Sequence, residues 1–252
     1  MTLMDEFIFD DLPVRGLLVQ LTEAWTDVWT EVLQVLRRDA DGPACDTHGP
    51  TVKNLLGQLT AAAVLLQGQT HIDGRVTMQI DGFGPLQRAI VEMGRNMRLR
   101  VMVKMNDPII HPIIHPITNI PTFTLTLAPA DVPPWQSTTP WTAPTNAMDA
   151  PLMPLSHVLQ RHLLHCAQIE TTWVLAADDK VAAGLLVWRW PPVDNGTDDV
   201  VHADDSHHEA YRRIAILASS LTPTELLTLD ADTILRRLFW QEPWHRVTPP
   251  SG

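Results

Sequence analysis

PTVKNLLGQLTAAAVLL (residues 50–66) and, shortly after it, RVTMQIDGFGP (residues 75–85) decide the fold class. In the first, Val52, Leu55, Leu56, Leu59, Ala62, Ala63 and Leu66 recur three and four apart, which is one broad apolar helix face. Ala61, Ala62 and Ala63 keep that helix slim, so a neighbour can approach closely, and Gly68 helps to end it. In the second, Val76, Met78 and Ile80 alternate with polar residues, as in a half-buried strand, and residues 81–85 form a turn. Residues 87–93, 99–104 and 122–127 continue the strand pattern, with Leu99/Val101/Val103 and Leu125/Leu127 keeping the period of two. Turns rather than helices separate these runs, so an antiparallel meander is expected.

Outward from this centre, residues 14–21 read as a strand. Residues 22–38 read as a helix through Trp25, Val28, Trp29, Val32, Leu33 and Leu36, and residues 39–50 as a loop. Eleven of the 21 prolines fall between Pro108 and Pro154, a density no regular helix tolerates; this segment is expected to be a loop holding one strand at 122–128. A helix returns at about 155–168, and residues 171–177 and 182–190 form a hairpin around Asp178-Asp179-Lys180. Pro191-Pro192 marks a change of composition. Residues 193–209 are acidic and read as a mobile linker, followed by two or three short helices without strands. Thr222-Pro-Thr-Glu225 is a capping box, and Asp230 or Asp232 caps a last helix. The expected fold class is α+β: a core of largely antiparallel sheet packed with helices over residues 1–192, then an acidic and helical linker region over 193–252.

Composition excludes several function classes. The chain has 252 residues, 45% of them apolar, enough for a sizeable core. Eighteen Lys+Arg against 29 Asp+Glu give a net charge of −11, which argues against nucleic acid as a partner. The start lacks the pattern of a signal peptide and no apolar run is long enough to span a membrane, so a cytoplasmic protein is expected. Two cysteines, Cys45 and Cys166, make neither a disulfide framework nor a four-thiolate zinc site.

No constellation of residues forms a convincing catalytic site. His111 and His115 are four apart, but the prolines around them forbid the helix that gives such spacing meaning. His162 and His165 lie three apart on the 155–168 helix and are read as a solvated face; the alternative is a metal-dependent or other hydrolase using this pair. His207-His208-Glu209 lacks the second histidine of a zincin, and Asp81-Gly-Phe-Gly-Pro85 lacks the third glycine of a dinucleotide loop. There is no P-loop and no Gly-x-Ser-x-Gly elbow. Cys45 stands near His48, whose charge would activate a thiolate, although an idle thiol is the simpler reading. Apolar helices after an acidic linker suit a binding protein, or a non-catalytic dimerisation module.

Four blocks carry a resemblance. They are residues 14–21 (VRGLLVQL); 49–66 running on to 73–85; 173–178 (WVLAAD) with 182–187 (AAGLLV); and 221–230 (LTPTELLTLD) with 234–239 (ILRRLF). In order and spacing they resemble the heat shock protein 33 family of redox-regulated holdase chaperones. The resemblance implies an α+β core, a helical linker and a small C-terminal zinc module. In such a module Cys-x-Cys and Cys-x-x-Cys pairs bind zinc until oxidation releases it and loosens the linker. It also implies unfolding client proteins as partners, a homodimer, and client contact through apolar surface without ATP. This sequence contains neither cysteine pair, so zinc is implied by the resemblance only and no cofactor is assigned to the chain. We read it as core and linker without the zinc module, through truncation rather than loss. Residues 106–121 are read as an insertion. The client-binding candidates are Leu217, Leu221, Leu226, Leu227, Leu235, Leu238 and Phe239, which loss of a covering module leaves either exposed or closed into a helical core of their own.

Overall fold

A computed structural model describes residues 2–39, 44–84, 86–95, 97–106, 120–142, 153–190 and 200–247. Its elements are β1 (Thr2–Phe9), β2 (Val14–Leu21), α1 (Glu23–Asp39), α2 (Ala44–Thr70), β3 (Gly74–Phe83), β4 (Leu86–Gly94), β5 (Leu99–Met105) and β6 (Thr122–Pro129). They continue with β7 (Trp135–Pro140), α3 (Leu155–Ala167), β8 (Thr171–Ala177), β9 (Ala182–Arg189), α4 (Val200–Ser219), α5 (Pro223–Thr228), α6 (Ala231–Leu238) and β10 (Trp244–Arg246). The strands form two five-stranded sheets: sheet A, in the order β10-β1-β2-β9-β8, and sheet B, in the order β5-β4-β3-β6-β7. Every strand pair is antiparallel. The α+β class and the meander β3-β4-β5 are as expected from the sequence.

Helix α2 is the keystone because both sheets pack on it. Leu56, Leu59 and Ala61–Leu66 share one core with Val76, Met78 and Ile80 of sheet B and with Leu17, Val19 and Leu186 of sheet A. The close approach expected from its alanines extends to Gly57, where a Cβ would collide with the Cβ of Ala177. Alternation then sorts β2 and β9 onto two cores. Leu17, Val19, Ala182, Leu186 and Trp188 face α2, whereas Val14, Leu18, Ala183, Leu185 and Val187 face a second core built with α4–α6. Sheet A is therefore buried on both faces, which is why its central strands read as nearly continuous apolar runs.

Several expectations need correction. The sequence reading assigns no element to residues 2–9; they form β1, in which Phe7 and Phe9 keep the period of two and are buried. α2 begins at Ala44, inside the segment read as a loop. The proline-rich region holds a second strand, β7, at the edge of sheet B, a position that tolerates Pro140 because its outer side needs no partner. Residues 200–209 are helical as the start of α4, and a strand, β10, follows the last helix. Residues 107–119 and the expected boundary at 192/193 lie outside the described residues, as do His111 and His115. The turn at 178–181 is closed by Asp178, whose carboxylate accepts from the backbone N–H of Lys180 and Val181 at 2.7 Å each.

Candidate functional site: the covered apolar face and its tethers

α5 and α6 begin as the sequence predicts. Thr222 accepts from the Glu225 backbone N–H at 3.3 Å, and Glu225 returns to the Thr222 N–H at 3.0 Å. Asp230 caps α6 by accepting from the Thr233 N–H at 3.0 Å. The Thr222 hydroxyl, which donates to Glu225 Oε2 at 2.7 Å, and then the Thr222 N–H hold the Glu225 carboxyl below its ordinary range, and the Thr233 N–H and hydroxyl do the same for Asp230.

The seven candidate residues turn inward. Leu221 (4% exposed), Leu226 (0%), Leu235 (0%), Leu238 (2%) and Phe239 (0%) are buried, while Leu217 and Leu227 are half-buried against the same cluster. Their neighbours are Phe7, Phe9, Leu18, Leu185 and Val187 of sheet A. Phe239 sits between two rings of β1, its centroid 5.6 Å from Phe7 and 5.0 Å, edge-on, from Phe9. Gly16 makes room on β2, since a Cβ there would enter the Phe7 ring. Of the two alternatives for these residues, the structure places them in a closed core, and that core uses sheet A as its floor.

Three polar tethers fasten the helices down. Tyr211 of α4 is hydrogen-bonded to Thr172 of β8 at 2.9 Å in a buried setting, and burial pushes its phenol up to about 12. Gln20 of β2 donates to the carbonyls of Leu226 and Leu229 at 2.9 and 2.8 Å, satisfying the end of α5. The third tether is β10, which pairs with β1 through Phe7↔Arg246, Ile8↔His245 and Phe9↔Trp244. Arg246 spans two elements, with Nε 3.1 Å from Asp5 of β1 and Nη2 2.5 Å from Asp232 of α6. His245 pairs with Asp10 at 2.7 Å, and Arg213 of α4 donates to both Glu242 oxygens at 2.7 and 3.1 Å. None of these tethers was among the sequence candidates. Nothing local in the sequence marks Gln20, whose partners lie more than 200 residues away.

A second apolar feature stands open. Where α2, α3, β6, β7 and the end of β9 meet there is a groove of about 560 Å³, walled by Leu66, Leu125, Leu127, Leu163, Ile169 and Trp188. Trp135 (39% exposed) and Trp190 (41%) stand at it as exposed aromatic residues. Cys166, an exposed free thiol, also lines it and lies 2.9 Å from Ser137 Oγ.

The histidine pair does not converge. His162 is fully buried and His165 is exposed, so the solvated-face reading of His162 is corrected and no hydrolase geometry is built from the two. The signal was present, because 155, 158, 159, 162 and 163 are the inward face of α3. Among the described residues no three His, Cys, Asp or Glu side chains come together to hold a metal, and the two cysteines of the sequence do not fit the four-thiolate zinc set. The side chains of Cys45 and His48 lie outside the described residues.

Comparison with known proteins was made on this basis. The family HSP33 (Hsp33 protein) matches residues 3–251. A protein named 33 kDa chaperonin from Neisseria meningitidis serogroup B is 30% identical over 249 residues, covering 97% of this chain and 71% of its own length. Its namesake from Chromobacterium violaceum is 31% identical over 244 residues, covering 95% and 71%. The crystal structure of the 33 kDa chaperonin (heat shock protein 33 homolog) of Thermotoga maritima has the same fold, with a TM-score of 0.64 at 16% identity over 97% of this chain and 78% of that one. By the match of almost its whole length, this chain belongs to the Hsp33 family.

Proposed function

We propose that the chain is an ATP-independent holdase chaperone of the cytoplasm that binds unfolding proteins through apolar surface and catalyses no reaction. Membership of the family and the relatives named 33 kDa chaperonin support a chaperone. The observation that carries the reading is the apolar layer between sheet A and α4–α6. It contains Leu217, Leu221, Leu226, Leu227, Leu235, Leu238 and Phe239 on one side and Phe7, Phe9, Leu18, Leu185 and Val187 on the other. α5 and α6 are only 6 and 8 residues long, too short to be stable helices alone, so undocking melts them and uncovers both sides together. Unfolding clients then gain the contacts that the closed core loses. The groove at Trp135 and Trp190 offers a first contact before undocking. The family resemblance adds a homodimer. Cys45 and Cys166 do not make up a four-thiolate set, so for the described sheets and helices the opening is one driven by temperature and solvent.

The test is light scattering from a heat-unfolding client, with and without this chain, without ATP and in both reductant and oxidant. Suppression of aggregation that is independent of oxidant is the expected result. No suppression under either redox condition overturns the reading.

A further inference from the structure

We propose that His162 makes the joint between α3 and sheet B an acid-sensitive hinge, whose opening lifts α3 from β7 and widens the adjoining apolar groove. His162 is completely buried. Its Nδ1 is hydrogen-bonded to Thr139 Oγ1 of β7 at 2.7 Å, and its Nε2 has no hydrogen-bond partner among the described residues. Its ring meets Phe123 of β6 edge-on at 5.1 Å and lies 6.5 Å from Trp135. This pocket accepts a neutral imidazole. A second proton would bring a charge next to two aromatic side chains and would require Nε2 to find an acceptor.

Among the described residues the elements around the ring supply no counter-charge. β6, β7 and β8 contain no Asp, Glu, Lys, Arg or His. The ionisable residues of α2 are Cys45, Asp46, His48 and Lys53, all in its first half, whereas the part that walls the groove is at Leu66–Thr70. On α3 itself the other ionisable groups are His157, Arg161, His165 and Cys166, none of them a carboxylate. Arg161 donates to the carbonyl of Pro140 at 2.6 Å, so a fixed positive charge already stands at the end of β7. Beyond α3 comes Glu170, which is engaged by Arg189 at 2.6 Å and His208 at 3.0 Å.

The sign follows from burial. Desolvation lowers the His162 pKa below 6.5, so the unfolded segment takes up the proton before the folded one. The stability of the closed joint is complete above 6.5 and is lost as pH falls through 6.5 towards the lower folded value. The consequence reaches the groove because Leu163, Cys166 and Ala167 of the same helix form part of its wall. Use of the hinge by a chaperone rests on the function proposed above; the hinge itself does not.

The experiment is amide exchange of α3 in the full chain between about pH 7.5 and about pH 5, where imidazole titrates, corrected for the intrinsic pH dependence of exchange. Opening in the unsubstituted protein should rise up to about tenfold per pH unit below the ordinary histidine value. His165→Gln should keep that rise, and both His162→Leu and His162→Gln should abolish it. A flat profile in the unsubstituted protein overturns the hinge, as does a rise retained in the two His162 variants. Exchange is read without a client, so failure to protect clients counts against the chaperone reading alone.

Discussion

Arg246 and Asp232 join the last strand to the first turn of α6, Nη2 to Oδ1 at 2.5 Å, while the same guanidinium holds Asp5 of β1 at 3.1 Å. One side chain thus ties the helical cover to the sheet it covers. Arg246 is 39% exposed, so solvent screens the pairing and its direct contribution is about 1 kcal/mol or less. Its effect is still visible because β10 has only three residues. Arg246→Ala should speed amide exchange in α6 about fivefold, the equivalent of about 1 kcal/mol, and leave α2 unchanged. Combining it with Asp232→Ala should add less than the sum of the single changes.

Gln20 offers a sharper test. Its amide satisfies two carbonyls at the end of α5 from a position on β2. Gln20→Leu keeps the volume but leaves both acceptors to find water, at a cost of about 1–3 kcal/mol. The variant should show a lower melting temperature and should suppress client aggregation at a lower temperature than the unsubstituted chain. Unchanged thermal unfolding would show that the carbonyls find other donors.

What was legible in the sequence follows from the range of the interactions. Helix faces and strand alternation are local, so α2, β3–β6, α3 and the β8–β9 hairpin could be read directly. Caps are local as well, and both Thr222 and Asp230 perform as their sequence context requires. β10 was not legible because three residues have no periodicity; it is a strand only because β1 lies beside it. β7 was hidden by prolines that an edge strand tolerates. The candidates Leu217, Leu226, Leu227, Leu235 and Leu238 lie on helices and Leu221 lies between α4 and α5, but a sequence does not say which surface covers such residues. His162 is polar yet buried, because its place in the 155/158/159/162/163 register puts it on the inward face of α3.

Alkaline pH should loosen α4. The Tyr211 phenol is raised from 10.0 to about 12, chiefly by burial. The stability it contributes is fully present below 10 and is lost as pH rises towards 12, because the unfolded chain ionises first. A shift of this size corresponds to about 3 kcal/mol. Exchange in α4, corrected for its intrinsic pH dependence, should therefore rise above pH 10. Tyr211→Phe should remove that dependence while losing the bond to Thr172.

Gly57→Ala is expected to destabilise although alanine is the better helix former by about 1 kcal/mol. The new methyl has no room, because it would overlap the Cβ of Ala177 and press on Trp25 Cζ2 at 3.1 Å. α2 would have to move off sheet A, and overpacking of this kind costs about 1–3 kcal/mol. Calorimetry showing equal or higher stability would mean that the helix shifts without loss.

Phe239→Ala separates the floor from its cover. The ring is fully buried between Phe7 and Phe9, and truncating a buried phenylalanine costs about 3–5 kcal/mol. The loss falls on the core shared by sheet A and α4–α6, whereas the core around α2 is built from other residues. Two unfolding steps are therefore expected, the earlier one confined to α4–α6 and accompanied by binding of an apolar dye. Under the proposed function this variant should protect clients at temperatures where the unsubstituted chain is still closed. If Phe239 also supplies client contacts, the protection reached at saturation should be lower than that of Gln20→Leu, which opens the same face with the ring intact. Equal protection by the two variants would exclude the Phe239 ring as a client contact.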